Sequence, residues 1–167
     1  MKIIQCLGSK ESRPVTNADI PTVLKDAEKM RELCNQPLGP YPSAQALAHV
    51  QVEEDDPLRF YVTKDGDIII NPEIIRHTRH TVIHKEGCMS YVHREPITVE
   101  RYNKIEIKCD VVQKFTTPIE ECKLKNITLS LSSKDAFICQ HEIDHFNGTT
   151  IYDQDGPQKE GGITRLK

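Results

Sequence analysis

The stretch LKNITLSLSSKDAFICQHEIDHFNG, residues 124–148, changes period midway, and that change decides the fold. Leu124, Ile127, Leu129 and Leu131 alternate with polar neighbours, with one break, as a strand buried on one face does. Ser132 or Ser133 then offers a helix cap, Asp135 to Phe146 reads as a helix, and Asn147-Gly148 ends it. Upstream, Ile105, Ile107, Cys109 and Val111 alternate in the same way. Leu58 to Thr63 and Asp67 to Asn71 are strand-like and joined through Lys64-Asp65-Gly66, a hairpin signal because glycine accepts positive φ. Near the N-terminus, Asp19 is placed to cap a helix with Ile20, Val23, Leu24, Ala27, Met30, Leu33 and Cys34 at helical spacing. Pro21 falls in its tolerated first turn, and Pro37 and Gly39 stop it. An early helix, many strands and a late helix predict an α+β fold.

The 167 residues suit one domain with its own core, here spanning 1–167 with a poorly specified polar tail from about 154. Basic and acidic residues are mixed at a net charge of -3, with no Lys/Arg stripe to track a phosphate backbone. Nucleic acid is therefore not an expected partner. The acidic run Glu53-Glu54-Asp55-Asp56 reads as a solvated loop. The N-terminus is too soon polar for a signal peptide, and no apolar run approaches the roughly 18 residues of a membrane span. Cys6, Cys34, Cys88, Cys109, Cys122 and Cys139 are widely spaced and form no C-x-x-C, so reduced thiols are expected in a soluble, cytoplasmic protein; a monomer is the expected state.

The chemistry concentrates in His141-Glu142-Ile143-Asp144-His145. Histidines four apart on a helix project from one face at a separation that one metal can bridge, and Glu142 is placed to act as a general base toward water. Two surface histidines on an ordinary helix would fit the same letters. A catalytic site usually takes three protein ligands and leaves a position open. No histidine follows His145, and the acids beyond it are Asp153, Asp155 and Glu160. Upstream, Glu86-Gly87-Cys88-Met89-Ser90 sets a cysteine between small residues that allow close approach, although an isolated cysteine is more often a small buried hydrophobe.

E-G-C-M-S at 86–90, followed about fifty residues later by Q-H-E-I-D-H at 140–145, resembles the second and third signature motifs of peptide deformylases. The resemblance runs from about Met1 to Asp153. It implies antiparallel or mixed sheets packed around a central helix that carries the histidine pair. It also implies Fe²⁺, often replaced by Zn²⁺ or Ni²⁺, held by Cys88, His141 and His145, with Glu142 as acid and base. The implied reaction is removal of the formyl group from N-formylmethionine on nascent polypeptides, met at the ribosome, with release of formate. The chain ends about twenty residues after the histidine helix, without the long C-terminal helix of many bacterial deformylases, and in this it resembles deformylases of bacteriophages.

The family's first motif, G-x-G-x-A-A-x-Q, has its best match at Ala44-Gln45-Ala46-Leu47-Ala48-His49-Val50-Gln51. Gln51 is kept, and with the Met89 backbone N–H it is implied to bind the oxyanion. Alanines replace both glycines, and a residue with a Cβ does not freely adopt positive φ, so the mouth of the site is expected to differ. His49 stands where the family has alanine and reads as a packed or solvent-facing side chain. Met89 and residues near Ile138 and His141 are expected to line the methionine pocket, Ala46 and Ile138 to bind substrate, and Arg94 to contact the substrate backbone. Glu86 and Arg101 match a structural ion pair, while Asp144 fits either support of a neighbour or a surface position. Two other classes fit the histidine helix: a zinc endopeptidase, and a non-catalytic metal- or peptide-binding module.

Overall fold

In the computed structural model, which describes residues 1–113 and 122–153, the alternating segments become strands of two antiparallel sheets. β1 (Ala46–Ala48), β2 (Phe60–Thr63), β3 (Ile68–His77), β6 (Lys104–Gln113) and β7 (Lys123–Ser132) form one, in the order β1-β2-β3-β6-β7. β4 (Thr81–Glu86) and β5 (Ile97–Tyr102) form the other. Two α-helices, α1 (Ile20–Cys34) and α2 (Ser133–Phe146), pack against them. The expected polar tail from about 154 lies outside the described residues.

α2 contacts both sheets, β1, β6 and β7 of the larger and β5 of the smaller. Its Ala136, Cys139, Ile143 and Phe146 meet Ile105, Ile107 and Cys109 of β6 in one buried cluster. α1 buries Val23, Ala27, Met30 and Cys34 against Leu47, Phe60, Val62 and Ile70 in another. Successive residues of a strand point to opposite faces, so β1 sends Leu47 toward α1 and Ala46 and Ala48 toward α2. Burial on both faces removes the alternation that would announce this strand. β3 also exceeds expectation, continuing past Asn71 and Pro72 to His77 through register shifts at Ile70/Glu73 and Ile74/Arg76.

The helix ends differ from the cap reading in detail. Asp19 precedes α1, but its carboxylate accepts the Thr16 N–H and O–H, each at 2.8 Å, and closes the turn before the helix. Ser132 occupies the cap position of α2 without a side-chain bond to the helix. Gly148 ends α2 at φ +66°, where a β-carbon would collide with the Ser9 backbone. That contact belongs to an N-terminal arm. Along it Ile4 N–H donates to Gln51 O (2.8 Å), Cys6 N–H to Ser90 O (2.8 Å) and Ser12 N–H to Phe146 O (2.9 Å). The arm thus ties together the three segments that carry the sequence motifs. No helix among the described residues is long and apolar enough to cross a membrane.

Candidate active site

α2 places His141 and His145 one turn apart on the same face, their rings edge-on with centroids 4.9 Å apart. Cys88 follows β4 and precedes a single 3₁₀ turn, Met89–Tyr91. Its Sγ lies 3.4 Å from His145 Nε2, and donor atoms of Cys88, His141 and His145 all fall within 4.8 Å of one another. A thiolate with two imidazoles is a donor set that suits Fe²⁺, Zn²⁺ or Ni²⁺. His141 Nδ1 is held by Glu86 Oε2 at 2.8 Å, which leaves Nε2 as the available donor. The residues present therefore fit a divalent metal.

Behind the donors lies a buried ion network. Arg101, on β5 and fully buried, donates from Nε and Nη2 to Glu86 at 2.7 Å each and from Nη1 to Asp144 at 2.8 Å. The sequence left Asp144 open between a supporting and a surface position, and the fold buries it in this network. Burial works against ionisation of Glu86, but Arg101 and His141 outweigh it and hold the carboxyl at about 2. Burial pushes Asp144 up to about 6, with Arg101 opposing. Glu86 is therefore ionised at neutral pH and accepts firmly from His141.

Glu142 faces different surroundings. Burial pushes its pKa up to about 7, and Oε2 has no hydrogen-bond partner among the described residues. Its neighbour in the cavity, Gln51, accepts the Ala48 N–H at Oε1 (2.9 Å), which fixes the amide orientation. The NH₂ group then points to Ser90 Oγ (3.1 Å) and Cys88 Sγ (3.7 Å). Met89 opens the 3₁₀ turn, where a first-turn N–H has no acceptor within the turn. Its carbonyl accepts the Gln5 side-chain amide at 2.9 Å.

These groups open onto a cavity of about 420 Å³. Ala44, Ala46, Gln51, Cys88, Met89, Ile138, His141 and Glu142 all line it, as do Tyr41, His84, Lys85, Lys134 and Phe137. Lys134, Phe137, Ile138 and His141 recur at helical spacing and give the cavity one wall of α2. Ala44 and Ala46 are both absent from the positive-φ residues, so the alanines replacing glycine impose no backbone strain.

Two sequence expectations resolve away from the cavity. Arg94 is not brought to it: the guanidinium lies over the rings of Tyr91 and Tyr152, 5.5 and 5.0 Å from their centroids, so the expected substrate contact has no geometric support. His49 is a packed histidine, stacked on Phe60 with centroids 4.7 Å apart and accepting the Leu58 N–H at Nδ1 (2.9 Å). Tyr41, His84 and Lys134 are cavity residues that motif reading missed, since none belongs to a signature and Tyr41 lies outside any periodic segment.

The model of the polypeptide deformylase family matches residues 8–160. The chain is 37% identical over 102 residues to the peptide deformylase of Macrococcus caseolyticus, a match covering 58% of this chain and 50% of that protein. The chain thus spans about half the length of this curated relative. Its fold is similar to the crystal structure of peptide deformylase from Thermotoga maritima, with a TM-score of 0.72, 27% identity and coverage of 93% and 97% of the two chains. It is also similar to the PDF of a Vibrio parahaemolyticus bacteriophage solved in complex with actinonin (TM-score 0.68, 26% identity, 90% and 100% coverage).

Proposed function

The chain belongs to the polypeptide deformylase family, and from that premise we propose that it hydrolyses the formyl group from the N-formylmethionyl end of polypeptides, releasing formate and a free amine. The observation that carries this reading is the convergence of Cys88, His141 and His145 beside a cavity lined by Cys88, His141, Glu142 and Gln51. A divalent ion held by those three donors would supply Lewis-acid activation of water and of the formyl carbonyl. Fe²⁺ is the proposed native ion, with Zn²⁺ or Ni²⁺ able to replace it because their intrinsic affinities are higher. Formylmethionyl ends arise on nascent chains, so the proposed setting is the cytoplasm during translation.

The protein groups divide the remaining work. Glu142 takes a proton from the attacking water at its carboxylate and returns it to the departing amine nitrogen. Gln51 Nε2 and the Met89 N–H donate to the oxygen on which charge develops. Ala46, Met89 and Ile138 present the apolar surface on which the methionine side chain packs. Among the described residues β1 ends the larger sheet and β4 pairs only with β5, so both offer strand edges beside the cavity, the arrangement by which extended peptides are held through backbone bonds.

The decisive experiment incubates Fe²⁺-loaded protein with formyl-Met-Ala-Ser and follows formate and peptide mass. Formate release with intact peptide bonds is expected, with acetyl-Met-Ala-Ser much slower. Internal cleavage without formate would indicate an endopeptidase, and neither reaction in a metallated sample would indicate a binding module. Gln51→Ala is expected to lower kcat about 10²-fold while retaining metal, the scale for loss of one oxyanion donor. An unchanged kcat would remove Gln51 from the oxyanion site.

A further inference from the structure

Tyr41 carries a hydroxyl that has no hydrogen-bond partner among the described residues. The residue lies between α1 and β1 on a backbone fixed by reciprocal bonds with Leu38, at 2.9 and 3.1 Å. Its ring lines the cavity that Gln51, Cys88 and Glu142 share. The phenol oxygen rests over Gly87 so closely that a β-carbon there would collide with it. Gly87 thus makes room for the phenol beside the metal-donor cysteine.

Buried polar atoms are almost always paired, so each exception asks for a reason. Five such side-chain atoms lack a hydrogen-bond partner among the described residues: Ser12 Oγ, Tyr41 Oη, His49 Nε2, Glu142 Oε2 and His145 Nδ1. Only Tyr41 and Glu142 of these residues line the cavity. Glu142 is the proposed acid and base. Tyr41 has no assigned role, yet its hydroxyl is a hydrogen-bond donor held at the same place. The edge of β4, which ends at Glu86 just before Gly87, is also where an extended peptide would lie, and backbone carbonyls are the acceptors that every such peptide carries whatever its sequence.

We propose that Tyr41 is a substrate-binding residue whose O–H donates to a backbone carbonyl oxygen of the N-formylmethionyl peptide as it passes Gly87. This rests on the deformylase reading and adds a contact to it. The bond forms with bound peptide and is equally present in the transition state, so it acts on KM.

The test is Tyr41→Phe, which removes the oxygen and keeps the ring. With formyl-Met-Ala-Ser, KM should rise about 10-fold, equivalent to about 1.4 kcal/mol, and kcat should stay within about twofold. Urea unfolding of the free protein should show equal or greater stability, because the variant loses a buried hydroxyl that had no partner. An unchanged KM in an active parent protein overturns the role of Tyr41 and leaves the deformylase reading standing. A less stable variant also overturns it, since the hydroxyl would then serve the fold. A parent protein that releases no formate overturns both.

Discussion

Glu142→Ala is expected to retain as much metal as the parent protein and to turn over formyl-Met-Ala-Ser about 10³-fold more slowly, within the range for loss of a general acid and base. The carboxylate is not one of the three converging donors, so coordination should survive. It is buried, lines the cavity, and has its pKa raised to about 7, where it can both accept and release a proton near neutral pH. Glu142→Gln should lose about as much activity, because an amide of the same shape cannot take up the proton. Elemental analysis and formate kinetics on the same samples read both halves of the expectation. Turnover preserved in either variant would reject the acid/base role, and lost metal would mean that Glu142 serves the donor set.

Cys88→Ala is expected to reduce the metal from about one ion per chain to little or none after dialysis. Two imidazoles on one helix face form an incomplete site, and the thiolate is the donor that joins α2 to the segment after β4. His141→Ala and His145→Ala should do the same. Glu86→Ala should have a smaller effect, about 10–100-fold in metal affinity, because Glu86 orients His141 without being a donor. Full metal retention in Cys88→Ala would take away the central donor assignment.

The histidine pair was legible because helical spacing alone puts residues four apart on one face. Cys88 was not, since no local pattern states that a cysteine after β4 meets a helix far along the chain. The resemblance of the two motifs supplied that link, and the fold brings the donors together. The partner of Asp144 was hidden for a related reason: its position on α2 does not reveal that Arg101 of β5 faces it. Among strands, β6 and β7 were plain because each alternates over most of its ten residues. β1 has three residues buried on both faces, and β4 exposes Val82 and Ile83 while burying Glu86, so neither displays a usable period. Arg94 and Tyr41 show the limit from both sides, the first placed over two aromatic rings and the second brought to the cavity from a segment without periodicity.

The N-terminal arm sets when this site can exist. Ile4 closes on Gln51, Cys6 on Ser90 and Ser12 on Phe146, contacts whose separations along the chain widen progressively toward the end of α2. Contacts this distant in sequence slow folding, because loop entropy is lost before the contact rewards it. During synthesis the arm emerges before its partners, the last of which follow only when α2 and Gly148 leave the ribosome. Chains halted between Cys88 and His141 hold the cysteine without either histidine. Metal capture should therefore occur as a late, single event in biogenesis, and arrested fragments ending before His141 should elute free of metal.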